Sequence, residues 1–317
     1  MLTDDIEFVE GTQAFDLCNL PSFDHLHGFG FAPASFIVST TLAPIFSQAK
    51  LSFVSDILFP SPMFVTHADD DSSLFLEKRD QMVWRGSTTG TSNDANWRQS
   101  HRARLMSMVY SHTSLAPLLV NDTETRLPTP SLKEVLCDVG FTGMIQCETS
   151  TCDEMKEEFG TVSRLTYEEI VRFKYLLDID GNSFSQRSID LYRSHALPIR
   201  AATFIDWQTE RMFPWVHFVP LSVSFKELWS ILLYYRGGEG IMDDAPRHNE
   251  QAELIAEGGR EWACQVLAHE DMQIYMARVL LEYARVIRDD RDEHGYDGDG
   301  SEASLEPNYP PVLKSDQ

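Results

Sequence analysis

The feature that most constrains the fold is a short apolar run followed by a turn of small residues, which occurs twice. Met82-Val83-Trp84 runs into residues 85–92, which are rich in glycine, serine and threonine, and the apolar run 175–179 ends in the turn 180–183. We predict a helix after each turn. Strands that alternate with helices pair in parallel, because a crossover helix returns the chain to the same edge of the sheet. The pattern therefore predicts a doubly wound α/β layer.

The spacing of polar caps and apolar runs sets the remaining predicted elements. The helix after the first turn is expected over about 94–112, with Asn93 or Asp94 as its N-cap, and the helix after the second turn is expected to begin at Ser185. Residues 122–131 are interpreted as a Pro/Thr-rich loop. Further strands are predicted at 199–204 and 216–221, with a short helix between them near 207–211.

The last regular element is predicted to be an amphipathic helix over 271–287, capped by Asp271. Its apolar residues recur at i, i+3, i+4, i+7 and i+8, which is the spacing of one helix face, and we expect that face to belong to the core. Residues 289–317 are acidic and contain several glycine and proline residues, and this composition predicts a disordered tail.

The charge balance excludes one broad class of function. Among 317 residues there are 49 acidic and 26 basic side chains, giving a net charge of −23. A nucleic-acid-binding protein needs a basic surface against the phosphates, so we expect no nucleic-acid partner, although a local basic pocket stays possible. The sequence has no apolar run long enough to span a bilayer and no leader pattern in its first thirty residues. Whether Cys147 and Cys152 form a disulfide is left open by their spacing.

The two strand-to-helix turns are candidates for a phosphate site. In the first, the backbone N–H groups of residues 86–90 can face an anion, and Arg85 and Arg98 add positive charge. In the second, Arg187 lies at a helix start, where a cation is unfavourable unless an anion binds beside it. Because ligands bind beyond the carboxyl ends of parallel strands, the two turns together predict a diphosphate site. Neither turn is a Walker or a GxGxxG loop, and ordinary turns stay an alternative.

Other polar residues are interpreted as structural. Asp178 and Asp180 have the spacing of a metal-binding DxD motif, but turn formation is the favoured interpretation. His25 and His27 are predicted to share one strand face without a third ligand. His217 lies between apolar residues and is expected to be a core histidine, and the acidic triplet 69–71 is expected to be a solvated turn.

Several blocks of the sequence, taken in order, resemble one known family. They are His27-Gly28-Phe29, 44–50 with 56–61, Trp84-Arg85-Gly86-Ser87-Thr88-Thr89-Gly90 with Trp97-Arg98 and 101–104, Phe173 to Arg187, 214–221, and 270–283. This set resembles the capsule-associated glycosyltransferases of fungi and the related protein O-glucosyltransferases, over about residues 6–288.

The resemblance implies a GT-B-like fold of two Rossmann-like halves with a nucleotide sugar in the cleft. On this basis residues 1–75 are a partial, incomplete N-terminal half on the acceptor side, residues 76–288 are the nucleotide-sugar half, and residues 289–317 are the tail. The UDP-sugar is implied to be held by two walls without a metal ion or other cofactor. The implied residues are Arg85, Gly86, Ser87, Thr88 and Arg98 on the first wall and Ser183, Ser185 and Arg187 on the second.

The resemblance also implies a catalytic base and a location. The base aspartate of the family precedes the His-Gly-Phe block; direct alignment places Ala14 there, and a small shift brings Asp16 to that position. Asp16 is the residue carried over. The family implies the lumen of the Golgi or endoplasmic reticulum, with membrane attachment only through an anchor that this sequence does not contain.

The expected function is transfer of glucose or xylose from a UDP-sugar to a hydroxyl of a glycan or a protein. Two alternatives stay open at this point. One is a catalytically inactive, truncated homologue that binds UDP, and the other is an acidic interaction scaffold in which the glycine and serine loops are ordinary turns.

Overall fold

The structure is a computed structural model, and it describes residues 8–9, 23–34, 39–41, 43–61, 71–92, 96–112, 114–121 and 123–294. The chain divides into two compact units, Met1–Gln273 and Ile274–Gln317. The boundary predicted between residues 75 and 76 falls inside the first unit, and the division into two halves stays a prediction.

The elements alternate between short strands and helices along most of the first unit. The strands are β1 Phe46–Ser47, β2 Ala49–Lys50, β3 Ile57–Leu58, β4 Arg79–Ser87, β5 Leu115–Val120, β6 Thr123–Pro128, β7 Cys137–Gly143, β8 Phe173–Ile179, β9 Leu197–Ala201, β10 Ile205–Asp206 and β11 Val219–Pro220. The helices are α1 Phe23–Leu26, α2 Gly28–Phe31, α3 His101–Tyr110, α4 Thr129–Leu136, α5 Thr149–Phe159, α6 Tyr167–Ile170, α7 Ser188–Arg193, α8 Leu228–Arg236, α9 Asn249–Val266 and α10 His269–Val286.

The predicted parallel sheet is confirmed. Five strands pair in the order β11-β9-β8-β4-β7, and each neighbouring pair is parallel. The central strand β8 is buried at all seven residues, as a strand covered on both faces requires. Because all five strands run the same way, the ends of β4, β8 and β9 meet at one edge of the sheet.

Both predicted helix starts are wrong by several residues. A 3-10 turn occupies Trp97–Gln99, and α3 begins only at His101, where the Ser100 side chain accepts from the Ala103 amide. The suggested caps Asn93 and Asp94 lie outside the described residues. The helix after β8 begins at Ser188, with Arg187 as its N-cap. A turn precedes it, in which the Ser188 amide donates to the Ser185 carbonyl.

Two segments interpreted as loops have more structure than their composition indicates. Residues 115–128 form an antiparallel hairpin, β5 and β6, whose turn places Asn121 at a φ of 48°. Asp71 is buried, and its carboxylate accepts from Lys78 Nζ at 2.8 Å and from the His195 amide at 2.8 Å. Asp71 is therefore half of a buried ion pair, which corrects the interpretation of 69–71 as a solvated turn; residues 69 and 70 lie outside the described part.

The prediction that the stripe of the last helix belongs to the core is wrong. Of the residues on the predicted stripe only Met272 is buried; partly exposed are Tyr275, Met276, Val279 and Tyr283, and exposed are Leu280, Val286 and Ile287. The tail prediction is also wrong for residues 289–294, which contain the 3-10 turn Arg291–His294; residues 295–317 lie outside the described part.

The histidines near residue 26 do not share a strand. His25 lies in α1, whereas His27 is buried and its Nδ1 accepts from the Phe29 amide at 3.2 Å, so that it caps α2. Gly28 packs closely on the turn that follows β4, since a Cβ atom at position 28 would lie 2.4 Å from the Gly90 carbonyl oxygen. A glycine is therefore needed at position 28 for this approach.

Cys147 and Cys152 form a disulfide, with their Cα atoms 5.5 Å apart. In the part of the chain that is described, no helix is both long and apolar enough to cross a membrane.

His217 is a buried histidine held by local contacts. Its Nδ1 accepts from the Phe213 amide at 3.1 Å, and its ring stacks on Trp262 with centroids 5.3 Å apart. Burial lowers the pKa of His217 to about 4. The interpretation as a core histidine agrees with these contacts.

This lowered pKa predicts acid sensitivity. The unfolded chain takes up a proton at His217 near pH 6.5 and the folded chain only near pH 4, so stability is fully present above pH 6.5 and is lost as the pH falls. By pH 5 the loss is about 2 kcal/mol. Urea unfolding at pH 7.5 and pH 5 should show that H217Q loses less free energy of unfolding between these pH values than the unaltered chain. An equal loss in both proteins would contradict this assignment.

Candidate active site

A cleft of about 1480 Å³ lies at the carboxyl edge of the parallel sheet. Residues at the ends of β4 and β7 line it, together with the segments that follow β8 and β9 and residues from the 39–56 segment. The lining residues are Ser39, Thr40, Thr41, Ala43, Ile45, Ser47, Gln48, Ala49, Phe53, Val54, Ser55, Asp56, Arg85, Gly86, Ser87, Thr89, Arg102, Thr142, Arg164, Leu165, Ile170, Gly181, Asn182, Ser183, Phe184, Ser185, Gln186, Arg187, Asp190 and Phe204. This position is where open α/β sheets bind their ligands.

Arg85 and Arg187 come together in this cleft. Arg187 Nη1 donates to the Arg85 carbonyl oxygen at 2.5 Å, although 102 residues separate them in sequence. Burial lowers the pKa of Arg187, and the nearby Asp178 acts in the opposite direction. Arg85 is held differently, since its Nη2 pairs with Asp138 Oδ1 at 2.6 Å. The charge of Arg85 is therefore partly neutralised within the protein.

Arg102 also lines the cleft, and it joins the two predicted turns. From the second residue of α3 its guanidinium donates to the Asp180 carbonyl at 2.8 Å, to the Ser87 carbonyl at 2.9 Å and to Thr89 Oγ1 at 2.7 Å. Burial and the charge of Arg187 lower the pKa of Arg102 to about 9, so it stays charged at neutral pH. Two guanidinium groups that repel each other thus share the cleft, and an anion between them would relieve that repulsion.

The first turn does not present a row of free backbone donors. Gly86 and Ser87 belong to β4, the Thr88 amide donates to the Gly143 carbonyl at 3.3 Å, and the Gly90 amide donates to Asn182 Oδ1 at 2.9 Å. Thr88 is buried and its Oγ1 donates to the Ile145 carbonyl at 2.8 Å. Gly86 and Ser87 line the cleft and Thr88 does not, and a role of these residues in donor binding stays a prediction.

The structure places Arg98 away from the cleft. Its guanidinium is exposed, pairs with Glu154 at 2.9 Å and Glu158 at 2.6 Å, and lies over the Trp97 ring. Because Arg98 belongs to the 3-10 turn before α3, it does not share a helix face with Arg102 and does not line the cleft. The carboxylates of Glu154 and Glu158, both in α5, therefore pair with the positive charge of Arg98.

Ser183 and Ser185 both line the cleft, and the helix that follows them is short. The Ser183 carbonyl accepts from the Gly181 amide at 3.0 Å, which closes the turn after β8. Burial raises the pKa of the Asp178 carboxyl, and the charge of Arg200 and the Ser185 hydroxyl act in the opposite direction. Ser185 therefore fixes the turn as well as lining the site.

The Asp178 and Asp180 carboxylates make internal contacts. Asp178 lies 3.9 Å from Arg200, and Asp180 Oδ2 accepts from Thr203 Oγ1 and from the Phe204 amide, each at 3.1 Å. Burial raises the pKa of Asp180 to about 7, and the Thr203 amide acts in the opposite direction. Across the described ranges, no group of three or more His, Cys, Asp or Glu side chains is placed to hold a metal ion.

Asp16, the predicted base, lies outside the described residues. Among the described residues that line the cleft, the carboxylates are Asp56 and Asp190, and the guanidinium groups are those of Arg85, Arg102, Arg164 and Arg187. The cleft is thus locally basic in a chain of net charge −23. Such a site suits an anionic ligand with more than one phosphate.

Sequence reasoning missed Arg102, Arg164, Asn182 and the polar residues of the 39–56 segment. For Arg102 the sequence offered one signal, since residues four apart share a face of a continuous helix and Arg102 lies four residues after Arg98. In the structure only Arg102 belongs to α3, and Arg98 lies in the 3-10 turn before it. For Asn182 no local pattern indicates that its amide oxygen accepts from Gly90, 92 residues away.

The chain is similar to several known proteins. Over 128 residues the chain is 27% identical to O-glucosyltransferase rumi of Drosophila pseudoobscura pseudoobscura, a stretch that covers 39% of this chain and 28% of that relative. It is 27% identical over 129 residues to the rumi homolog of Anopheles gambiae, covering 39% and 29% of the two chains. It is also 23% identical over 150 residues to Protein O-glucosyltransferase 3 of Rattus norvegicus, covering 47% and 27%.

The aligned stretches thus span less than a third of each of these relatives. The family comparison extends much further along this chain, since the sequence profile of glycosyl transferase family 90 matches residues 35–294. That range contains the whole parallel sheet and every described residue that lines the cleft. The chain therefore belongs to glycosyl transferase family 90.

Proposed function

We propose that this glycosyltransferase uses a UDP-sugar, with UDP-glucose and UDP-xylose as the first candidates, and transfers the sugar to a hydroxyl of a glycan or protein. The observation that carries the proposal is the pair of guanidinium groups, Arg102 and Arg187, at the sheet edge that ends in Ser87 and Ile179. The proposal includes a GT-B arrangement. It also includes the secretory lumen as the location, which a disulfide between Cys147 and Cys152 suits.

In the proposed reaction, negative charge grows on the leaving UDP as the bond to the sugar breaks. Arg102 and Arg187 are already fixed by the protein, so they stabilise this charge without reorganising. Asp178 and Asp180 are buried against Arg200, Ser185 and Thr203, and we propose that the arginines perform the role that a DxD-bound cation has elsewhere. We propose Asp16 as the base that accepts the proton of the attacking hydroxyl.

The test is hydrolysis of UDP-glucose and UDP-xylose, in which water accepts the sugar and UDP is released, with and without a chelator. We expect turnover that the chelator does not change. Asp16→Asn is expected to lower kcat by about 100-fold or more, since a general base contributes roughly that much, while UDP binding is retained. An unchanged kcat in this variant would contradict the base assignment. UDP binding without any turnover would instead identify an inactive homologue, and turnover lost on chelation would contradict the metal-independent mechanism.

A further inference from the structure

The cleft is lined by two chemically different sets of residues. The described residues of the 39–56 segment that line it, here called the neutral wall, include no arginine or lysine and only one carboxylate, Asp56. Most of the others carry a hydroxyl or an amide, or are small and apolar. The remaining lining contains all four arginines. The diphosphate of the donor suits the arginine side, so the neutral wall is available to an uncharged group.

Phe53 is the largest apolar group on this wall and is 61% exposed. Its exposure is not a consequence of a loose segment. Two residues earlier, Leu51 is fully buried and packs with Phe204, and the Val54 amide donates to the Leu51 carbonyl at 3.0 Å. Strand β2, just before this turn, pairs with β10. The turn is therefore fixed, and it presents the Phe53 ring at the cleft.

Asp56 is fixed on the same wall by neighbouring strands. Ser47 Oγ donates to Asp56 Oδ2, Lys50 Nζ donates to the Asp56 carbonyl at 3.2 Å, and β1 pairs in parallel with β3 directly after Asp56. A carboxylate accepts about four hydrogen bonds, so Ser47 leaves capacity for further donors. A hydroxyl of a bound molecule is a suitable donor.

We propose that the neutral wall is a saccharide subsite, and that the acceptor of this enzyme is a sugar hydroxyl of a glycan. A pyranose ring has one face of C–H groups, which packs on an exposed aromatic ring, and peripheral hydroxyls, which pair with carboxylate, hydroxyl and amide groups. Phe53 supplies the aromatic ring, and Asp56 with Ser47 and Gln48 supplies the polar groups. This inference rests on the proposed function, because it names the acceptor for the same cleft.

The test uses saturation-transfer NMR on the folded chain, with the methyl glycosides of xylose, glucose, galactose and mannose as probes, with and without UDP. We expect at least one glycoside to bind. Phe53→Leu keeps an apolar side chain but removes the ring, and should weaken binding by roughly tenfold, whereas Phe53→Tyr keeps the ring and the affinity. Leu254→Ala, at a 66% exposed residue on α9 that does not line the cleft, is the matched control and should bind as the unaltered chain does.

Three outcomes would overturn the inference. These are absence of binding by every glycoside at millimolar concentration, equal affinity in Phe53→Leu and Phe53→Tyr, and binding of a serine-containing peptide in place of the glycosides. Calorimetry of UDP on the same variants separates this result from the proposed function. If Phe53→Leu binds UDP as tightly as the unaltered chain, its effect on glycoside binding belongs to the acceptor subsite. If the unaltered chain does not bind UDP, that result counts against the nucleotide proposal alone.

Discussion

Arg187→Ala should weaken UDP binding by about 100-fold, because it removes a fixed cation from the cleft where the phosphates are proposed to lie. The guanidinium of Arg187 is anchored on the Arg85 carbonyl, and alanine would leave neither the charge nor the hydrogen bond. Titration calorimetry with UDP measures the effect. Arg187→Lys should retain an intermediate affinity, since lysine keeps the charge but lacks the planar fork.

Arg98→Ala is the matched control for this experiment. The sequence analysis predicts a phosphate contact for both Arg98 and Arg187, but Arg98 is exposed and paired with Glu154 and Glu158. Its loss should leave UDP affinity unchanged within about twofold and should alter stability by less than about 1 kcal/mol. If Arg98→Ala and Arg187→Ala weaken UDP binding equally, the phosphates do not bind in the cleft beside Arg187.

Arg102→Met should lower the free energy of unfolding by about 3 kcal/mol or more. The buried guanidinium donates to the carbonyls of Ser87, Ile179 and Asp180, and methionine would leave these acceptors without their partner. The same change should also weaken UDP binding, because Arg102 lines the cleft and holds both turns in place. Urea unfolding at pH 7.5 measures the first effect, and calorimetry on the folded fraction measures the second.

Arg102→Lys separates these two roles. Lysine keeps a positive charge but cannot donate to three carbonyls in the fixed pattern of a guanidinium, so most of the stability loss should remain. If Arg102→Met unfolds with the same midpoint and slope as the unaltered chain, the account of Arg102 as the link between the turns is wrong.

The central strand of the sheet and the two turns at its carboxyl edge can be predicted from the sequence on physical grounds. Five of the seven residues of 173–179 are apolar, which favours a central parallel strand, and the turns after β4 and β8 follow from their glycine and serine residues. Parallel pairing then requires both turns to be at one edge. The meeting of Arg85 and Arg187 in one cleft follows from that topology without any knowledge of side-chain contacts.

Other features depend on information that local sequence does not carry. The 3-10 turn at Trp97–Gln99 places Arg98 against α5 and leaves Arg102 to reach the cleft, a difference of a few residues in the helix start. The contacts of Asn182 with Gly90 and of Asp71 with Lys78 and His195 are set by tertiary packing. Likewise, the periodicity of α10 shows an apolar face but not what that face contacts.

The most direct test of the central claim is calorimetric titration of the unaltered chain with UDP, UMP and uridine. If the arginines of the cleft clamp a diphosphate, UDP binds saturably at one site per chain, UMP binds more weakly, and uridine binds weakest of the three. Equal affinity for UDP and uridine, or no heat with millimolar UDP on folded protein, would contradict the claim.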